Sequence, residues 1–436
     1  MAWRILPLIL VLYLIAYLDR ANVGFAKLRM KSALGWEEAV FGFGFGIFFV
    51  GYLFLEIPGA LAVEHWSARK WFARILGTWG VCSMATAFVQ EEYQFYLARF
   101  FLGLAEAGFF PGVIVYFTHW FPRADRARAL SIMVLGVPIS LALGARVTGL
   151  ILEYDWFGLD AWQWVFLIEG APALLFGVAV PFLLTDRPHQ AKWLTPAERD
   201  WLEQTLQRER AEVAATGGVT FRQALRQPSL WLLALGILAT NTGGYSMAFW
   251  LPTFIENMLT APGAPATAAT QKAALNYISL VYLCGAAGVW ISGQSSDRFA
   301  ERKWHCIAGQ VGAGLFLAVS LIPGQSFSMV MVSLCLMGFF ALFWPSPFWV
   351  LPTLSMSASA AAVSVGFINI CANVAGWIGN SYVGQMKSWG YDDSTCMLSL
   401  AGCYIAGGVI IAFLRVKPRA RIEPVPEGAS TELKAK

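Results

Sequence analysis

Charged residues are scarce in this sequence, at 13% of 436 residues, whereas hydrophobic residues make up 57%. Soluble globular domains carry about 25% charged residues. A soluble chain of this length would also form two or three domains, each with its own polar surface. The shortage of charge therefore excludes a soluble protein, and the abundance of hydrophobic residues excludes a disordered one. An integral membrane protein is the remaining class.

Motifs for metal, nucleotide and acyl-transfer chemistry are also missing. The seven cysteines form no CxxC pair, and the four histidines have no zinc-ligand spacing. The sequence contains no P-loop, no GxSxG nucleophile motif and no basic run with interleaved aromatic residues. We therefore expect no metal, no nucleic-acid partner and no enzymatic activity, and the missing P-loop argues against ATP-driven pumping by this chain.

Long apolar runs are what the sequence does contain. A helix of about 20 apolar residues spans the ~30 Å hydrocarbon core of a bilayer. Twelve such runs lie at about 4–24, 40–61, 70–90, 93–118, 127–152, 161–184, 229–254, 273–293, 304–322, 327–351, 360–384 and 394–415. They predict an all-α integral membrane protein with twelve transmembrane helices embedded in the lipid bilayer.

The positions of Lys and Arg predict the orientation of these helices. Positive residues cluster in the 65–74 loop, the central polar segment and the C-terminal tail, all of which fall on one side. Cytoplasmic loops carry this excess of positive charge. We therefore expect both termini in the cytoplasm. The first run lacks a small-residue cleavage site, so we expect it to be a retained helix and not a signal peptide.

One long polar segment divides the chain. We predict four units: an N-terminal six-helix bundle, a cytoplasmic linker with a short amphipathic helix, a C-terminal six-helix bundle and a disordered cytoplasmic tail, at 1–185, 186–228, 229–415 and 416–436. The linker helix is predicted to begin with a capping box, Thr195 to Glu198, with proline at the first helical position.

A short motif recurs in both halves. After the second apolar run the sequence reads EHWSARKW from Glu64, and after the eighth it reads DRFAERKW from Asp297. Each has an acid followed by Arg-Lys-Trp, with the arginines at Arg69 and Arg302. Repeated halves predict two pseudo-symmetric bundles, an architecture of secondary transporters with the substrate site between them.

A few charged residues lie inside the apolar runs. An ionised side chain there costs at least ~2.5–3.5 kcal/mol, so each is a candidate for function. The first run carries Asp19 and Arg20, and the fourth carries Arg99 and Glu106, seven positions apart on nearly one helix face. The rise along each helix places Asp19 and Arg99 at similar depth, which predicts that they are neighbours.

Two roles are open for these four residues. Carboxylates whose charge depends on burial and on nearby arginines suit proton coupling, and the planar guanidinium of Arg20 suits capture of an anionic substrate. The alternative is that the four neutralise one another and fix the packing of the helices.

Other polar residues in the runs have weaker signals. Asn241, Asn369 and Asn373 can donate hydrogen bonds to a small polar ligand, or they can join helices to each other. Arg146 lies late in the fifth run, either at the membrane interface or as an additional contact for the anion. Glu56 lies near the inner end of the second run, where we expect it to snorkel or to pair with a basic loop.

Several motifs resemble one family. They are YLDRANVGFA at 17–26, GY at 51–52 with EIP at 56–58, and RFFLGLAEAGFFPG at 99–112. With the repeated acid and Arg-Lys loops, they resemble the major facilitator superfamily and, within it, the anion:cation symporter family. The resemblance covers residues 4–415. The run Gly144-Ala-Arg146 departs from the family's usual Gly-Ala-Pro.

The resemblance implies the major facilitator fold and proton-coupled uptake of a small organic anion, such as a sugar acid, hydroxy-dicarboxylate or aromatic carboxylate, by alternating access. It implies that Asp19 and Glu106 are the coupling acids, with Arg99 as their partner. The implied substrate pocket draws on Tyr17, Arg20, Tyr52, Ser346, Trp349 and Asn369. The implied cytoplasmic gate consists of Glu64, Arg69, Asp297 and Arg302.

The resemblance further implies no cofactor other than the coupling protons. We expect a monomer in a plasma membrane, as a multi-pass protein of a bacterial inner membrane. An organic-anion exchanger or a uniporter without proton coupling remains an alternative. A membrane-embedded enzyme or a solute sensor is disfavoured, because the sequence has neither a nucleophile–base or metal cluster nor a soluble output domain.

Overall fold

The computed structural model describes residues 2–215, 221–261, 264–356 and 358–416. Within these ranges every regular element is a helix, apart from one isolated β-bridge at Trp156 and Leu159. The predicted tail, 416–436, lies outside the described residues except for Val416.

Six membrane helices form the first half. In chain order, helices 1 to 6 are Ala2–Leu34, Glu38–His65, Ala68–Ala85, Glu92–Glu106 continued by Phe109–Trp120, Arg123–Ile151 and Ala161–Leu183. Helix 4 is interrupted directly after Glu106, where Gly108 has φ +82°. A Cβ at this glycine would lie 2.7 Å from Cα of Gly59 in helix 2, so the break also brings two backbones into contact.

Six further membrane helices form the second half. Helices 7 to 12 are Pro228–Leu259, Ala268–Arg298, Lys303–Ser320, Phe327–Ala341 continued by the short turns Pro345–Phe348 and Leu351–Ser355, Ala358–Ser388 and Asp393–Ala412. The prolines at 345, 347 and 352 explain why helix 10 is interrupted, since proline cannot donate a backbone hydrogen bond.

Nine of the helices in the described part of the chain are long and apolar enough to cross a membrane on their own composition. Helices 3, 9 and 11 do not reach that threshold. They complete the bundle by packing: helix 3 lies against helix 6, helix 9 against helix 12, and helix 11 against helices 2 and 7. The prediction of an all-α protein with twelve membrane helices is therefore confirmed.

The two halves repeat the same packing. Helix 1 packs on helix 5 as helix 7 packs on helix 11, and helix 3 packs on helix 6 as helix 9 packs on helix 12. The halves meet along two seams, helix 2 against helix 11 and helix 5 against helix 8. Each seam is the pseudo-symmetric copy of the other. This arrangement is the paired-bundle architecture that the repeated loops predicted.

Small residues allow the first seam to close. A Cβ on Gly42 of helix 2 would lie 2.7 Å from Cα of Gly384 in helix 11, so these backbones touch. The glycines at 42–46 are thus a close-packing surface.

The linker segment carries a helix of its own, Pro196–Ala215. Its predicted capping box is confirmed: the Thr195 backbone N–H donates to the Glu198 carboxylate over 2.9 Å, and the Glu198 N–H donates back to Thr195 Oγ1 over 3.3 Å. The bond from the backbone of Thr195 lowers the pKa of the exposed Glu198 carboxyl. Leu202 and Leu206 form the buried stripe of this helix.

Candidate functional site

A cavity of about 280 Å³ lies between the two halves. Most of its lining is apolar or aromatic, and a few polar side chains project from both sides. The predicted site residues that line it are Tyr17, Arg20, Tyr52 and Glu106 from the first half, and Asn241, Trp349, Asn369 and Asn373 from the second. An apolar cavity with a few convergent polar groups is the usual form of a small-molecule site.

Arg20 is the cationic group of this cavity. Its Nη2 donates to the Glu106 carboxylate, which is only 2% exposed. The guanidinium carbon lies 5.1 Å from the Tyr17 ring centroid and 5.3 Å from that of Tyr52. Arg20 Nε is buried and has no hydrogen-bond partner among the described residues. The site therefore holds a partly neutralised arginine, enclosed by aromatic rings, with donor capacity left for an anion.

Asp19 points away from the cavity. It is 1% exposed and accepts hydrogen bonds from Trp79 Nε1 and Ser83 Oγ of helix 3, and from Asn22 Nδ2 over 2.8 Å. Consecutive helical residues differ by about 100° in direction, so Asp19 faces helix 3 while Arg20 faces the cavity.

Arg99 lies near enough to Asp19 for the two charges to interact, as their similar depth predicted, but the two side chains do not form an ion pair. Its side chain is fully buried, 5.0 Å from the Phe48 ring centroid, and none of its three guanidinium nitrogens has a hydrogen-bond partner in the described part of the chain. Depth alone suggested the pair. The depth argument did not include the rotation of helix 1. That rotation points the carboxylate of Asp19 toward helix 3, where it accepts its hydrogen bonds.

Glu56 is the residue whose role sequence reasoning missed. Its carboxylate accepts from Asn369 Nδ2 and, over 3.2 Å, from Asn373 Nδ2, both on helix 11. It is 4% exposed. The expectation of snorkelling or of pairing with a basic loop is therefore wrong. The available signal was its spacing of four from Tyr52, which puts both side chains on the same side of helix 2, and Tyr52 lines the cavity.

Two predicted pocket residues lie outside the cavity lining. Arg146 is exposed on helix 5, which removes it from contact with a ligand in the cavity. Ser346 is half-buried in the short turn of helix 10, between Pro345, which lines the cavity, and the buried Pro347.

The outer ends of the halves are joined by a cluster around Lys27 of helix 1. Its side chain is 1% exposed, and Nζ lies 2.6 Å from Glu38 of helix 2. The same Nζ donates to Thr253 Oγ1 over 3.1 Å and lies 3.8 Å from the Trp250 ring centroid, both on helix 7. Gln271 of helix 8 donates to the carbonyl of Leu28 over 2.7 Å. These contacts join helices 1 and 2 of the first half to helices 7 and 8 of the second.

The predicted gate residues pair within their own halves. Arg69 Nε lies 3.3 Å from Asp186, which also accepts from Ser67 Oγ over 2.8 Å. Arg302 pairs with Asp297. His119 Nε2 lies 2.7 Å from Glu64. Asp186, just after helix 6, was not among the predicted gate residues.

Metal ligation has no support in the ranges that the structure covers, where no three His, Cys, Asp or Glu side chains cluster. The site chemistry available is a cation, several carboxylates, side-chain amides and aromatic rings. Such a set can bind an anion and exchange protons with it.

The sequence matches the family model described as Major Facilitator Superfamily over residues 9–380. It is 38% identical over 423 residues to a protein of Agrobacterium vitis named "Putative tartrate transporter", covering 97% of this chain and 91% of that one. It is 33% identical over 415 residues to "Inner membrane transport protein RhmT" of Escherichia coli, covering 95% and 94%.

Solved structures show the same fold. A bacterial homologue of the human lysosomal transporter Spinster superposes with a TM-score of 0.71 at 16% identity, covering 93% of this chain and 94% of that one. The xylose transporter XylE of Escherichia coli superposes with a TM-score of 0.71 at 12% identity, covering 94% and 97%. The prediction of a transporter and not an enzyme is confirmed by the family model and by the sequence relatives named as transporters. The chain belongs to the major facilitator superfamily.

Proposed function

We propose that this transporter is a proton-coupled symporter that takes up a small organic anion across a bacterial plasma membrane, acting as a monomer. The observation that carries the proposal is the Arg20–Glu106 ion pair in an aromatic cavity between the halves. The relatives named for tartrate transport make a hydroxy-dicarboxylate the first substrate to test.

Anion capture rests on Arg20. A guanidinium binds a carboxylate in bidentate fashion, and the apolar surroundings strengthen this attraction because little water screens it. Tyr17 and Tyr52 lie against the guanidinium, where their hydroxyls can serve the hydroxyl groups of the substrate. Asn241 lines the opposite wall of the cavity, from helix 7.

Proton coupling rests on competition for Arg20. The Glu106 carboxylate occupies the guanidinium in the empty cavity. A proton on Glu106 removes that competitor, so substrate anion and proton bind together. Asp19, which precedes Arg20 in the sequence, supplies a second buried carboxylate. Arg99 is a buried cation near Asp19, and its guanidinium has no hydrogen bond among the described residues. Alternating access then moves the substrate anion and the proton across the membrane together.

Movement between states uses the two ends of the bundle. The Lys27 cluster closes the outer side, and it has to open for substrate to enter from outside. The loops at 64–70 and 297–303 are the proposed cytoplasmic gate. Their arginines are paired with acids of their own half, so they need new partners when the cytoplasmic side closes.

The test uses the purified transporter in proteoliposomes. We expect an inwardly directed proton gradient to drive accumulation of labelled tartrate. Glu106→Gln, which mimics the protonated carboxyl, should abolish this accumulation while tartrate counterflow persists, because Arg20 stays available. Glu169→Gln is the matched control, since Glu169 is equally buried but bonds to Thr148 and does not line the cavity.

Uptake that responds to neither the proton gradient nor Glu106→Gln contradicts the coupling assignment. Counterflow in wild type without proton movement would instead favour the exchanger or uniporter. Absence of uptake and binding for every organic anion in a panel of sugar acids, hydroxy-dicarboxylates and aromatic acids would reject the substrate class.

A further inference from the structure

A hydrogen-bonded bridge joins the two halves beside the cavity. Glu56 of helix 2 accepts from the amide groups of both Asn369 and Asn373 on helix 11. The two asparagines line the cavity and are four positions apart, so their side chains share one face. Two convergent amide donors are a site for a carboxylate, and here the protein's own carboxylate fills it.

The carboxylate of Glu56 has different partners from the carboxylate of Glu106, which is also buried. Glu106 pairs with Arg20, whereas Glu56 has no cation within ion-pair distance among the described residues. The two amides are its only hydrogen-bond partners in the same ranges. Glu56 therefore depends on donors from the opposite half, across a seam whose two helices belong to different bundles.

We propose that Glu56 is an internal stand-in for a substrate carboxylate. It occupies the Asn369–Asn373 donors while the cavity is empty, and the second carboxylate of a dicarboxylate substrate displaces it. This inference rests on the proposed function, in which Arg20 holds the first carboxylate. Glu56 is thus a positioning residue that sets the preference between anions with one carboxylate and anions with two.

The physical consequence is a penalty paid only by dicarboxylates. A ligand with one carboxylate binds at Arg20 and leaves the Glu56 bridge intact. A dicarboxylate has to break two hydrogen bonds to a charged acceptor, which are about twice as strong as neutral ones, and approaches a like charge. Replacing Glu56 by glutamine keeps the size of the side chain but removes both the charge and the strong bonds.

The experiment measures binding by isothermal titration calorimetry on the full-length purified transporter, with tartrate and with glycerate as probes. We expect Glu56→Gln to bind tartrate about tenfold more tightly than wild type and glycerate within about twofold. The gain should vanish when Asn369→Ala is added, because it requires the freed amide. Glu169→Gln should bind both acids as wild type does.

A shorter carboxylate provides a second variant. Glu56→Asp loses one methylene and cannot reach both amides, so tartrate affinity should rise by a smaller factor. Thermal unfolding and size-exclusion chromatography check that each variant is folded.

The outcomes separate this inference from the proposed function. Weaker or unchanged tartrate binding in folded Glu56→Gln, with Arg20→Ala still losing it, overturns the stand-in role and leaves the symporter proposal in place. A gain that persists with Asn369→Ala, or that is equal for glycerate, also overturns the role, because it reports general electrostatics. Wild type that binds neither acid overturns this inference, whereas the substrate class is decided by the panel of organic anions.

Discussion

The two halves of the transporter meet with different chemistry. At the outer end Lys27 of the first half contacts the hydroxyl of Thr253 and the ring of Trp250 in the second half. Beside the cavity the first half contributes the carboxylate of Glu56, which accepts hydrogen bonds from the amides of Asn369 and Asn373 in the second half. In the middle of the cavity the first half holds the Arg20–Glu106 pair, opposite neutral residues of helix 7.

The difference indicates how the interface can open repeatedly. Separating the members of a buried ion pair leaves an uncompensated charge and costs about 3–5 kcal/mol. A hydrogen bond between a charged and a neutral group contributes about 1.5–3 kcal/mol. Lys27 and Arg20 keep their counter-ions, Glu38 and Glu106, inside the first half. Movement of the second half therefore leaves both buried ion pairs intact. It breaks these hydrogen bonds and the Lys272–Glu153 ion pair, which joins the halves over 2.8 Å but is partly exposed and therefore weak.

The largest expected effect comes from removing the cation of the cavity. Arg20→Ala should reduce tartrate uptake at least ~100-fold, because it deletes the anion anchor and leaves Glu106 buried without a counter-ion. Arg20→Lys should retain part of the activity, since an ammonium keeps the charge but loses the bidentate geometry. Initial uptake rates in proteoliposomes measure both.

Arg146→Ala is the matched control for this experiment. Arg146 is an arginine of the same half, but it is exposed and lies outside the cavity lining. Uptake should stay within about twofold of wild type. A loss of uptake as large as that of Arg20→Ala would show that the anion path reaches helix 5. It would contradict the assignment of anion binding to Arg20 alone among the arginines of the first half.

A smaller effect is expected at the outer closure. Lys27→Met removes the contacts with Thr253 and Trp250, while Glu38 keeps Lys31, 2.7 Å away, as its counter-ion. The outer ends should separate more often, and deuterium exchange in the outer turns of helices 1 and 7 should be about tenfold faster. Exchange monitored by mass spectrometry measures this.

Lys31→Met separates the cross-half contact from the loss of charge. Lys31 bonds to the same Glu38, but it has no partner in the second half among the described residues. Exchange should therefore stay near the wild-type rate. Equal acceleration in both variants would mean that the charge of Glu38, and not the contact with helix 7, governs the outer closure.

The smallest effect on transport is expected from the neutral residues that line the cavity from the second half. Asn241 lines the cavity from helix 7. Asn241→Ala should raise the KM for tartrate about threefold and leave kcat unchanged, because one neutral hydrogen bond contributes about 0.5–1.5 kcal/mol. Asn241→Asp should raise it further, since it places a like charge near the anion. An Asn241→Ala effect as large as that of Arg20→Ala would contradict the view that the charged residues of the first half dominate anion binding.

Sequence reasoning identified most of the polar groups but few of their partners. Arg20, Glu106, Asn369 and Asn373 were all selected from charge or amide groups inside apolar runs, and all line the cavity. Asp19 was expected beside Arg99, and the two charges do interact. Its hydrogen bonds, however, come from Trp79 and Ser83, because the direction in which Asp19 points depends on how helix 1 is rotated in the bundle.

Glu56 and Lys27 show the same limit from the other direction. Glu56 was expected to be a peripheral charge near the inner end of its apolar run, and Lys27 lies beyond the end of the first run. The structure buries both, and each finds its cross-half partner more than 200 residues away, with separations of 313 for Glu56 to Asn369 and 226 for Lys27 to Thr253. Local composition gives no information on contacts of this range.

The sequence by itself determined that this protein is a twelve-helix membrane protein with repeated halves, because low charge, run length and loop charge are local properties that a bilayer reads directly. Only the tertiary structure decided which carboxylate meets which donor. The energy of a buried charge depends on groups within a few ångströms, and those groups come from helices whose rotation and neighbours are set by packing of the whole bundle.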